Sequence, residues 1–176
     1  NSFNKGRSTV KKIIIALVLL LITLSGCSTA EKKAVYFRRD GDPVLADSEL
    51  KKFPEIKVVK RFSELEKNLR NPLGIWIDKN VLDDIPRDWL KQSPQKDYPV
   101  IVLGYNKPID VFGTLLPVDF PWPYNPQLSR ENLPPGFSAW KQTGADMGII
   151  KGYDQIEVPK LLEVTESLLN NKVPQD

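Results

Sequence analysis

Histidine is absent from the 176 residues, and cysteine and methionine occur once each. Without imidazole there is no Ser-His-Asp or Cys-His relay and no His-containing zinc site, since those chemistries need a base or ligand that titrates near neutrality. With Cys27 alone there is no internal disulfide, so stability must come from packing. A metal would have to be a hard cation on oxygen ligands, yet the chain has no Asp-x-Asp-x-Asp-Gly loop. It also lacks the Gly-x-x-x-x-Gly-Lys phosphate cradle and the Gly-x-Gly-x-x-Gly turn. Asp40-Gly41-Asp42 reads as a turn, with a weak cation site as the alternative. No metal and no cofactor is expected.

Acidic residues are missing from the start of the chain until Glu31, whereas Lys5, Arg7, Lys11 and Lys12 supply positive charge there. Ile13 to Leu24 is a 12-residue hydrocarbon run, within the range of a signal-peptide core. A spanning helix needs roughly 20 apolar residues, so this run is too short to cross a bilayer. It ends in Leu24-Ser25-Gly26-Cys27. That order of basic start, apolar core and small residues before a cysteine resembles the lipobox of bacterial lipoproteins. The resemblance implies that residues 1–26 are a cleaved signal peptide, that Cys27 carries a diacylglyceryl group and a further acyl chain such as palmitate, and that the bilayer is a partner through this lipidated residue. An ordinary secretory signal or an uncleaved anchor is the alternative.

Loss of the leader changes the charge. It removes four cations and no acid, leaving 21 Lys and Arg against 22 Asp and Glu over Cys27 to Asp176. A near-neutral domain has no extended basic surface for counterion release, so nucleic acid is excluded as an expected partner. The 150 residues from Cys27 onward fit one domain and are few for a two-lobed solute receptor. Residues 27–33 read as the lipidated cysteine and a short tether, and 34–176 as a single α/β domain. Six tether residues reach roughly 20 Å when extended. Two or three acyl chains make such anchoring stable where one leaves it reversible.

The pattern after the tether alternates strand and helix. Strands are expected at Ala34 to Phe37, Glu55 to Lys60, Leu73 to Asp78, Tyr98 to Gly104 and Met147 to Tyr153. Tyr98 to Gly104 is continuously apolar, as strands covered on both faces are. Ser63 and Glu66 make a capping box for a helix carrying Phe62, Leu65 and Leu69 on one face, stopped at Asn71-Pro72. Short helices are expected at Ile85 to Leu90 and Pro108 to Leu116, and a longer one at Val158 to Asn171. Pro117 to Trp140, with six prolines among its aromatics, reads as a long ordered loop. The fold class expected is a three-layer open α/β sheet, mostly parallel.

Open parallel sheets gather ligands beyond the carboxyl ends of their strands. The candidate ligand-binding residues there are Asp78, Tyr105, Asn106, Tyr153 and Asp154, with Lys60, Arg61 and Lys79 nearby and Trp122 and Tyr124 supplied by the proline-aromatic loop. Those aromatics, with Phe137 and Trp140, form either a rigid contact surface or an inward-turned cover over the sheet edge.

Three functional classes follow: a non-catalytic module contacting an envelope protein, an enzyme using Asp78 with Asp83 or Asp84 as acid and base, and a small-molecule sensor at the strand ends. Ile75 to Lys79, Asp88 to Lys91 and Val100 to Tyr105 resemble a pattern in uncharacterised secreted proteins of Gram-positive bacteria, which implies no activity. Placement on the extracytoplasmic face of the cell membrane is expected, or in the outer membrane if the cell has two, because Ser28 rather than Asp follows the cysteine.

Overall fold

Val35, Phe37, Ile75, Ile77, Val100 and Val102 lie in one buried cluster and Ala34, Tyr36, Trp76, Ile101 and Leu103 in another. The alternation is what strands buried on both sides require, since successive side chains point to opposite faces. The computed structural model describes residues 32–86, 89, 98–115, 131, 133–143 and 147–174. Its strands are β1 (Ala34–Phe37), β2 (Ile56–Val59), β3 (Gly74–Asp78), β4 (Val100–Leu103), β5 (Phe137–Thr143) and β6 (Met147–Tyr153).

These make one six-stranded sheet in the order β2-β1-β3-β4-β5-β6. β1 pairs in parallel with β2 and β3, and β3 with β4, whereas β5 is antiparallel to both β4 and β6. The protein is an α/β domain with a mixed sheet. Residues Lys32–Asp176 group as one compact unit.

Helices cover both faces. α1 (Asp47–Leu50) and α4 (Val158–Leu169) place Leu50, Val158, Leu161, Val164 and Leu168 against the Trp76 side. α2 (Phe62–Lys67) and the 3₁₀ turn Lys79–Asp84 place Leu65, Val81 and Leu82 against the Ile75 side. Each buried Leu or Val side chain stabilises the fold by about 1.5–3 kcal/mol relative to exposure. The buried Trp76 indole N–H donates to Thr165 Oγ1 at 2.9 Å, and the Thr165 hydroxyl donates to the Leu161 carbonyl at 2.6 Å. This chain ties β3 to α4 without leaving a polar atom unmet.

Four details differ from the sequence expectations. The proline-rich stretch does not stay irregular up to Trp140: Phe137–Thr143 is β5, inserted between β4 and β6, with Phe137 and Trp140 buried in it. Apolar continuity was broken there by Lys141 and Gln142, but Lys141 is buried and donates to the Leu169 carbonyl and Asn171 Oδ1, closing the end of α4. The capping box at Ser63 is not used. Phe62 enters the helix because its ring packs edge-on against Phe37 and Trp89, so Arg61 becomes the cap residue and Glu64 reaches back to accept from the Lys60 N–H at 3.1 Å. A 3₁₀ turn at Lys79–Asp84 was not expected ahead of the Ile85 to Leu90 helix, of which residues 87, 88 and 90 lie outside the described residues; the Trp89 N–H bonds to the Pro86 carbonyl. Finally, the helix at Pro108 is a short α3 (Pro108–Asp110) that widens into a π turn over Val111–Leu115. No helix among the described residues is long and apolar enough to cross a membrane.

Candidate functional site: the strand-end rim

β5 runs against β4, and β6 runs against β5, so β6 regains the direction of β1, β3 and β4. Tyr153 pairs with Phe137, which pairs with Leu103, which pairs with Asp78. One edge of the sheet therefore carries Arg38 and Arg39 after β1, Lys60 and Arg61 after β2, Lys79 after β3, Tyr105 and Asn106 after β4, and Asp154 after β6.

At the β4 and β6 end the rim is closely fitted. Asn106 donates through Nδ2 to Asp154 Oδ1, and its backbone N–H donates to the Pro134 carbonyl at 2.9 Å. A Cβ on Gly152 would lie 1.9 Å from Asn106 Oδ1, so only glycine admits that amide over the strand. Gly136 has φ 137°, and a Cβ there would meet the Tyr153 carbonyl at 2.0 Å. The Tyr105 carbonyl accepts from Ser138 Oγ at 2.7 Å. The Tyr153 ring stacks on Phe137 with centroids 4.5 Å apart, and the Lys151 and Lys160 ammonium groups lie 5.5 and 5.9 Å from its centre. Tyr105, Asn106, Tyr153 and Asp154 are thus brought together.

Asp78 has a different setting. Its side chain is fully buried and accepts from the Tyr36 hydroxyl at 2.5 Å, the Val44 N–H at 2.8 Å and the Asn80 N–H at 3.0 Å. The bond from Asn80 makes it the cap of the 3₁₀ turn; the bond from Val44 fastens residues 38–46 across the end of β3. Burial, reinforced by the hydrogen bond to Asp78 and its charge, pushes the Tyr36 phenol far above its ordinary value.

The loop after β1 is also fixed by ion pairs. Arg39 grips Asp84 with both Nε and Nη2, Arg38 pairs with Asp47, and Lys60 lies 2.6 Å from Asp40. The Lys60 hydrogen bond and charge hold the Asp40 carboxyl below its usual value. Arg38 is 4% exposed and its Nε has no hydrogen-bond partner. Among the described residues no three His, Cys, Asp or Glu side chains group as a metal site.

Cys27, Trp122 and Tyr124 lie outside the described residues. Sequence reasoning missed Tyr36 and Arg39, and offered Asp84 only as an acid-base partner of Asp78, whereas both its oxygens meet Arg39. A tyrosine inside the apolar stretch Ala34 to Phe37 was the available signal, because a buried hydroxyl needs an acceptor. No family model, no curated protein and no solved structure matches this chain.

Proposed function

We propose that the chain is a lipoprotein precursor whose mature form is tethered at the extracytoplasmic face of the cell membrane, or at the outer membrane of a two-membrane cell, as a non-catalytic interaction or ligand-binding module. The observation carrying this reading is Leu24-Ser25-Gly26-Cys27 at the end of a basic and then apolar leader, six residues ahead of β1 and its partner strands. We read the domain as a three-layer open sheet whose parallel part, β2-β1-β3-β4, is the frame, supported by helices packed on both faces. The surface offered to a small polar ligand or an envelope protein is the rim at Tyr105, Asn106, Tyr153 and Asp154, with Trp122 and Tyr124 as the further aromatic contribution.

A carboxylate hydrolase is the second reading, and the geometry weighs against its pairing of residues. Asp78 spends its oxygens on three internal donors, and both oxygens of Asp84 meet Arg39. A general acid or base must reach the proton it moves.

Mass spectrometry of the protein from its native membrane tests the anchor: the expected result is an amino-terminal peptide starting at Cys27 with thioether and acyl mass, lost in Cys27→Ser. A free thiol or an intact leader overturns it. Crosslinking in intact cells, compared between native protein and Asp154→Ala, tests the rim.

A further inference from the structure

The cations of this domain are sorted by position. Four ion pairs among the described residues of the rim engage a residue following β1 or β2: Arg38 with Asp47, Arg39 with Asp84, Lys60 with Asp40 and Arg61 with Glu64. The opposite edge of the sheet, where β1 to β4 begin, carries a second set. Lys32 and Lys33 precede β1, and the Lys33 carbonyl accepts from the Leu73 N–H at 2.8 Å, just ahead of β3. Lys51 and Lys52 follow α1 and precede β2. Arg70 follows α2 at the same edge, beside Leu69, whose carbonyl accepts from the hydroxyl of Tyr98 just ahead of β4. Lys172 follows α4, whose end is held to β5 by Lys141.

These six side chains are exposed, and none has an ion-pair partner among the described residues. Among the described residues the acids close in sequence to these cations are Glu49, Glu55, Glu66 and Glu166, so cations outnumber acids there. The contrast is informative because the domain as a whole is close to neutral. Cations collected on one edge and left unpaired there face whatever that edge meets.

The tether fixes what is near. Six residues separate Cys27 from Ala34, so a lipid on Cys27 lies within roughly 20 Å of the start of β1. We infer that the edge bearing Lys32, Lys33, Lys51, Lys52, Arg70 and Lys172 docks on anionic lipid headgroups of the anchoring membrane, holding the rim at Asn106 and Asp154 away from the bilayer. This rests on the lipoprotein reading. The lipid supplies retention and the basic edge supplies orientation, since each Lys or Arg near an anionic surface strengthens the contact about fivefold and the effect fades within a Debye length.

The test uses protein isolated from its native membrane and reconstituted in vesicles of phosphatidylcholine, with or without phosphatidylglycerol. Each lysine is acetylated briefly and its rate read by mass spectrometry. Lys51, Lys52 and Lys172 are expected to react several-fold more slowly on anionic than on neutral vesicles at low salt, while Lys60, Lys79 and Lys107 keep their rates. High salt should erase the difference. In Lys51→Gln with Lys52→Gln, the docking equilibrium read at Lys172 should fall about fivefold for each lysine removed.

Equal rates on the two vesicles overturn the inference, as does slowing of the rim lysines instead. Protection by a soluble anionic polymer but not by the vesicles also overturns it, in favour of a wall polymer. The Cys27 peptide in the same digest separates the two failures: a lipidated Cys27 with unprotected lysines sinks the docking alone, and a free thiol sinks the lipoprotein reading with it.

Discussion

The Tyr36 hydroxyl donates a 2.5 Å hydrogen bond to the buried carboxylate of Asp78, and the Leu45 N–H donates to that same hydroxyl at 3.4 Å. Two adjacent strands and the loop crossing them thus share one polar junction inside an apolar core. Tyr36→Phe removes one donor and one acceptor and should destabilise the domain by about 1–3 kcal/mol. Asp78→Ala should do more, because it leaves the Tyr36 hydroxyl and two backbone N–H groups short of an acceptor. Urea unfolding checks the order; equal loss in the two variants would count against Asp78 as the hub.

The same junction has an alkaline signature. The folded phenol titrates far above its ordinary value of 10.0, so its contribution is fully present below pH 10 and is lost as pH rises beyond it. Stability measured from neutral to strongly alkaline pH should fall less steeply in Tyr36→Phe than in the native protein. Parallel curves would mean that the phenol is not protected by the fold.

At the acid end the sign reverses. Asp40 is held below its usual 3.8 by Lys60, so the stabilisation it gives is present above that value and is lost as pH falls through the lower, folded value. The carboxylate is exposed, so salt should weaken the effect. Carbon-detected NMR titration of Asp40 should move upward in Lys60→Gln; an unmoved titration would remove Lys60 as the cause.

Gly152→Ala places a methyl where Asn106 Oδ1 now lies, 1.9 Å from the new carbon. Overpacking of this kind costs about 1–3 kcal/mol. Adding Asn106→Ala should recover part of the loss, because it removes the colliding amide. A thermal-unfolding cycle in which the two changes simply add would show that Gly152 is needed for some other reason.

Trp76 and Thr165 make the corresponding test on the other face. Thr165→Val keeps the shape but leaves the buried indole N–H without its 2.9 Å acceptor, at a cost of about 1–3 kcal/mol. Trp76→Phe on top of Thr165→Val should add less than Trp76→Phe does alone. Full additivity would mean that the indole N–H finds another acceptor.

Periodicity and β-branching were enough to locate β1 to β4, β6 and α4, because strands covered on both faces, such as β1, β3 and β4, are apolar almost throughout and an amphipathic helix must repeat its apolar face. The leader was legible for a simpler reason: its meaning is carried by consecutive residues. β5 was not, since its polar members Ser138, Lys141 and Gln142 look like loop chemistry until their partners across the fold are known. Asp78 looked like an open carboxylate beyond a strand for the same reason. Its donors Tyr36 and Val44 lie 42 and 34 residues away, and no local pattern announces them.

By itself the sequence determined the α/β alternation through β1 to β4, β6 and α4, the absence of histidine and thiol chemistry in the domain, and the expectation of an anchor at Cys27. The tertiary structure decided that the sheet is mixed, that Asn106 meets Asp154 while Asp78 is committed inward, and that six cations at one edge have no ion-pair partner among the described residues. Local propensity is a property of neighbouring residues, whereas pairing, burial and the use of a charge depend on which distant segments the sheet order brings together.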